Sequence, residues 1–123
     1  MTKIFQQKLN KIIERLKPYN PQKIILYGSH ARGDARKDSD IDLLIIKRTK
    51  KDYFKRMPEV YDLLYKEEYF LNPNEYIKGL DFGVYTPQEI QQALNKGSFF
   101  FQDVLEEGKI IYEQKRAKST RMV

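Results

Sequence analysis

The chain has 123 residues, 41% of them apolar and none of them cysteine, and a net charge of +6. That length suits one domain with one hydrophobic core, and the missing thiols exclude disulfides and thiolate metal sites. No run nears the roughly 18 apolar residues of a membrane span and the first residues lack a secretory apolar stretch, so a cytoplasmic protein with no membrane partner is expected.

Phe5, Leu9, Ile12, Ile13 and Leu16 recur at helical spacing, which predicts an amphipathic helix stopped near Pro18 and Pro21. Lys23–Tyr27 is a β-branched and aromatic strand. Gly28 and Ser29 then turn the chain into a short helix ending near Gly33. Ile41–Ile46 reads as a second strand whose apolar run asks for cover on both faces, as at the centre of a sheet. Thr49 and Asp52 offer caps for a following helix, which Pro58 either restarts or kinks. Val60, Tyr61, Leu64 and Tyr65 supply its apolar stripe, and residues 71–74 form a loop. Leu80, Phe82 and Val84 alternate with Asp81, Gly83 and Tyr85 as a third strand. Thr86-Pro87-Gln88-Glu89 is a capping box that opens a helix ending near Gly97. Ser98 caps another helix, with Phe101, Val104 and Leu105 expected inward, and 110–112 form a last short strand. This order predicts an α/β (α+β) domain over 1–113, its sheet of about four strands covered by helices. Residues 114–123, with Lys115, Arg116, Lys118 and Arg121 and no acid, read as a flexible basic tail. Both the tail and a second basic block (Lys47, Arg48, Lys50, Lys51, Lys55, Arg56) read as solvated surface, so nucleic acid is a weaker expectation than the charge alone suggests.

The chemistry concentrates between Gly28 and Asp42. Asp40 and Asp42 are two residues apart at the mouth of a strand, so they share a face with Cα atoms roughly 6.6 Å apart. Like charges this close repel, so without a counter-cation at least one would be protonated, and a divalent metal removes the conflict. Two magnesium ions about 4 Å apart would suit carboxylates and phosphate oxygens, whereas one histidine and no cysteine argue against zinc. Asp81, near the start of its strand, is the candidate third carboxylate, a ligand that helps deprotonate an acceptor hydroxyl. Gly28 lets backbone approach a phosphate, the helix start behind it presents free N–H groups to an anion, and Ser29 adds a hydroxyl. His30 is expected to stand by. Arg32 either neutralises phosphate or pairs with Asp34 or Asp38. Two rival motifs fail. Asp34 and Ala35 stand where a P-loop needs Lys-Ser/Thr. Leu43 and Thr49 stand where a calcium loop after Asp38 needs glycine and a bidentate acid.

At Gly28, Ser29, Arg32, Gly33, Ser39, Asp40, Ile41, Asp42 and Leu43 the chain resembles the minimal nucleotidyltransferases of the DNA polymerase beta superfamily, in the form Gly-Ser-x-Ala-Arg-Gly…Ser-Asp-Ile-Asp-Leu. Residues 81–90 and 101–112 resemble that family's third-carboxylate strand with its capped helix and its C-terminal helix and strand, so the likeness spans about 10–113. It implies a mixed sheet with the first two strands antiparallel, Ser29 beside Asp40, and the basic block at the far end of the second strand. It implies catalytic and metal roles for Asp40, Asp42 and Asp81, and nucleotide contacts from Gly28, Ser29, Arg32 and Ser39. It also implies ATP as donor, two Mg2+ ions, and a HEPN-type helical toxin as partner, whose tyrosine hydroxyl receives AMP while this chain acts as antitoxin. Two alternatives stay open: an antitoxin that neutralises by binding alone, and a nucleotidyltransferase acting on nucleic acid or a small molecule. Gly83 beside Asp81 departs from the family pattern.

Overall fold

A computed structural model describes residues 2–115; the rest of the basic tail, 116–123, lies outside the described residues. Helices α1 (Lys3–Leu16), α2 (Ser29–Arg32), α3 (Tyr53–Leu64), α4 (Glu67–Phe70), α5 (Pro87–Asn95) and α6 (Phe99–Glu107) surround strands β1 (Lys23–Tyr27), β2 (Ile41–Ile46), β3 (Leu80–Tyr85) and β4 (Lys109–Glu113). The sheet is mixed, in the order β3-β2-β1-β4. β1 runs antiparallel to β2 and β4, while β2 and β3 are parallel. Gln114, just past β4, donates its backbone N–H to the Gln22 carbonyl at 2.9 Å. Among the described residues no helix is long and apolar enough to cross a membrane.

Strand alternation gives the sheet two faces. On one, Ile24, Leu26, Leu43, Ile45 and Val84 pack against Leu9, Ile12 and Leu16 of α1 and Val60 and Leu64 of α3. Each such side chain contributes roughly 1.5–3 kcal/mol on burial. On the other, Ile25, Leu44 and Ile46 meet Ile90 of α5 and Val104 of α6. β2, with neighbours on both sides and cover on both faces, is the central strand that its apolar run required. Leu105, expected inward, is instead 44% exposed, because the turn of α6 that carries Val104 down to the sheet points Leu105 outward.

Of the two outcomes open to Pro58, a restart is excluded, because α3 runs through it as one helix. The hydrogen bond it cannot donate would have reached the Phe54 carbonyl. Phe54 is 85% exposed, so water solvates that side. Asp52 supplies the cap, accepting from the Lys55 N–H at 3.1 Å. The single turn α4 was not expected from the sequence.

Arg56 corrects the reading of the second basic block as solvated, since its side chain is 4% exposed. Its guanidinium donates to the Lys51 carbonyl at 2.7 Å, to the Val84 carbonyl at 3.1 Å, and to both Glu89 oxygens at 2.6 and 2.9 Å. Glu89 also closes the expected capping box with Thr86. One ion pair therefore clamps the start of α3, the end of β3 and the start of α5. The Arg56 hydrogen bonds hold the Glu89 carboxyl below the usual range. A lowered carboxyl pKa gives stability that is present above the unfolded value and lost as pH falls through the folded one. Glu89→Gln should therefore cost about 1–2 kcal/mol, discounted for the half-exposed acid. In urea unfolding that deficit should be present at neutral pH and vanish in strong acid. An equal deficit at both pH values would contradict this assignment.

Candidate active site

The register of β1, β2 and β3 builds the site. Tyr27 pairs with Asp42 across the antiparallel ladder, and Asp42 with Asp81 across the parallel one. Directly paired residues share a face at about 5 Å spacing. Tyr27, Asp42 and Asp81 thus form a row across three strands, at the end of the face that α5 and α6 leave uncovered. Asp40, exposed, stands just before β2. Its carboxylate lies over Gly79, where a Cβ would meet Oδ1 at 3.1 Å and φ is +71°. The Asp42 carboxylate lies so closely over Gly28 that a Cβ there would overlap Oδ2. Gly28 has φ 75° and ψ −156°, a region essentially reserved for glycine. Glycine is thus required at 28 both for the turn and for the seat of Asp42.

The antiparallel pairing also brings the Gly28–Ser29 turn against the start of β2. α2 is a single turn in which the Gly28 carbonyl accepts from the Ala31 and Arg32 N–H groups at 3.1 and 3.0 Å. The Ser29 and His30 N–H groups, first in that turn, have no helical carbonyl behind them and are open to an anion. Ser39 closes the loop before Asp40: its hydroxyl accepts from the Arg36 N–H at 2.7 Å, and its own N–H donates to the Arg36 carbonyl at 3.0 Å. The Ser39 hydroxyl still has its proton to donate. His30 Nε2 lies 3.1 Å from the Ser39 carbonyl, and the ring stacks on Phe5 with centroids 4.3 Å apart. That ring braces the loop against α1. Of the two roles open to Arg32, the pairing with Asp34 is present, at 3.3 Å between exposed side chains. Such a pair is weak and leaves the guanidinium free to swing to another anion.

Burial, and then the charges of Asp81 and Asp40, push the Asp42 carboxyl above its usual range, offset in part by His30 and Arg32. Burial, and then Asp42 and Asp81, push the Tyr27 phenol up to about 12, so it remains a neutral donor beside the acids. On the same face beyond Asp81, a Cβ at Gly83 would come within 2.6 Å of the Tyr85 ring, which folds back across that glycine. Tyr53 packs on Tyr85 with centroids 5.5 Å apart.

The donor set fits a hard divalent cation, because it is all carboxylate oxygen and its members repel one another. The one histidine ring is already engaged. Among the described residues no three His, Cys, Asp or Glu side chains converge closely enough to hold a metal unaided. A cation here would need oxygens from a second source, which a phosphate ligand provides.

A cleft of about 370 Å³ opens from the Gly28–Ser29 turn and Asp42 to α6, where Phe100, Asp103 and Glu107 form the far wall. Sequence reasoning missed this wall, although Phe100, Asp103 and Glu107 fall at i, i+3 and i+7, one face of the helix that Ser98 caps. It also missed Tyr27 and Gly79 as neighbours of the acids.

A mixed sheet carrying acids on two adjacent strands, next to a glycine turn with free N–H groups, defines an enzyme of the nucleotidyltransferase class. The chain belongs to the polymerase beta nucleotidyltransferase family, whose pattern it matches over residues 10–117. It is 37% identical over 95 residues to a candidate protein adenylyltransferase of Methanocaldococcus jannaschii, covering 74% of this chain and 78% of that protein. A candidate nucleotidyltransferase from Sulfolobus solfataricus has the same fold, with a TM-score of 0.59 over 93% of this chain and 86% of the other at 22% identity. So does a chain of a toxin–antitoxin structure with AMP-PNP, with a TM-score of 0.53 over 86% of this chain and 73% of the other at 23% identity.

Proposed function

We propose that this chain transfers AMP from ATP to a tyrosine hydroxyl of a separate HEPN-type helical toxin and thereby acts as its antitoxin. The observation that carries this reading is the Asp42–Asp81 row, flanked by Asp40 and set against the Gly28–Ser29 turn. The M. jannaschii relative supports a protein acceptor, and the neighbour with AMP-PNP supports a nucleotide donor in a toxin–antitoxin setting.

In this reading the Ser29 and His30 N–H groups and the Ser29 hydroxyl hold the terminal phosphates, with Arg32 and Ser39 beside them. Asp40, Asp42 and Asp81 would hold magnesium, which supplies positive charge to the phosphate oxygens and orients the displacement. Asp81 takes the proton of the acceptor hydroxyl as its oxygen bonds to the α-phosphorus. The bond from that phosphorus to the β-bridging oxygen breaks, and pyrophosphate leaves. Tyr27, a neutral phenol, adds no charge to an already acidic row.

The test is label transfer to a HEPN-type helical protein that this chain binds. Label at the α-phosphate of ATP should reach a tyrosine of that protein, while γ-label should not. Asp81→Asn should cut transfer about a hundredfold or more, in the range of a lost general base. γ-Label on the partner, or undiminished transfer by Asp81→Asn, would sink the proposal.

A further inference from the structure

We propose that Phe100 is the platform on which the base of the donor nucleotide stacks, so that the cleft against α6 is the nucleoside half of the site. This rests on the reading of a nucleoside triphosphate as donor and adds where its base lies. The cleft has two chemically different walls. Gly28, Ser29 and the cation Arg32 come from the turn and α2; Phe100, Asp103 and Glu107 come from α6. The α6 wall, with two acids in Asp103 and Glu107, suits a triphosphate less well than the Gly28–Ser29 turn does. The same carboxylates match a nucleoside, whose ribose hydroxyls and exocyclic amine are donors.

Phe100 is 46% exposed, although an aromatic on the face of α6 that meets the fold has apolar cover within reach. Its ring is steadied by edge contacts to Tyr27 at 5.6 Å and 87° and to Phe101 at 5.1 Å and 73°. Those contacts fix its orientation and leave about half of its surface open to the cleft. An aromatic pre-set in this way stacks a base with little further loss of freedom. The phosphates would then lie toward Asp42 and the base toward α6, on the side of Asp42 away from Asp81. That leaves the Asp81 side of the row to the acceptor.

The experiment compares calorimetric affinities for magnesium-ATP and for magnesium-tripolyphosphate, which has no base. Phe100→Ala should weaken ATP about tenfold, within the range for loss of one base–aromatic stack, and leave tripolyphosphate unchanged. The chain contains no tryptophan, so Phe100→Trp places a single indole at the cleft. It should keep the wild-type ATP affinity, and its fluorescence should respond to ATP and not to tripolyphosphate. Wild-type ATP affinity in Phe100→Ala, or an equal loss for both ligands, would overturn the assignment. A wild-type chain that binds no ATP would overturn the donor reading itself.

Discussion

Asp42→Asn should reduce nucleotidyl transfer about a thousandfold or more and, at the same time, raise the melting temperature of the ligand-free chain. The first effect follows from removing one of the charges that would hold magnesium against the phosphates, a contribution of several kcal/mol. The second follows from the local electrostatics. The Asp42 carboxyl is raised by burial and by Asp81 and Asp40. A carboxyl pKa raised on folding gives stability that is present below the unfolded value and lost as pH rises through the folded one. At neutral pH the ionised group therefore opposes folding, and asparagine, similar in shape and neutral, relieves that strain. Magnesium together with ATP should raise the melting temperature of the wild type and have less effect on the variant. Circular dichroism melts with and without magnesium-ATP check this. A variant that melts below the wild type in the absence of metal would show that Asp42 stabilises the fold.

Gly28→Ala should be among the most damaging single-methyl changes in the protein. It forces an alanine into φ 75°, ψ −156° and drives its Cβ into the Asp42 carboxylate. A cost of roughly 2–3 kcal/mol is expected from the backbone region alone, with a melting temperature lower by about 10 °C. Transfer should fall with it, because relief of the overlap displaces Asp42. The two causes separate in a double-mutant cycle. Asp42→Gly removes the carboxylate that collides, so Gly28→Ala in that background should cost less than in the wild type. Strict additivity would place the whole penalty in the backbone and deny the contact with Asp42.

Much of the architecture is legible in the sequence. Three strands fall on short runs bounded on one side by glycine or aspartate: Lys23–Tyr27 before Gly28, Ile41–Ile46 after Asp40 and Leu80–Tyr85 after Gly79. Ser98, and Thr86 with Glu89, announce α6 and α5 because capping is local chemistry. What stayed hidden depends on partners far along the chain. Arg56 reads as one more surface cation until β3 and α5 deliver Val84 and Glu89 to it. Gly79 reads as an ordinary turn residue until Asp40 is found lying over it. Asp81 was a candidate by its place on a strand, but only the parallel register sets it opposite Asp42. Phe100 is hidden for the same reason, since α6 meets the Gly28 turn only through the tertiary fold.

The central claim is that the acid row and the Gly28–Ser29 turn form one donor site that takes a triphosphate only together with a divalent cation. Titration calorimetry of the purified chain with ATP, in magnesium and again in EDTA, tests it most directly. Asp40, Asp42 and Asp81 repel a bare triphosphate, so binding is predicted in magnesium, with no measurable heat in EDTA. ATP binding of equal strength in both would contradict the account.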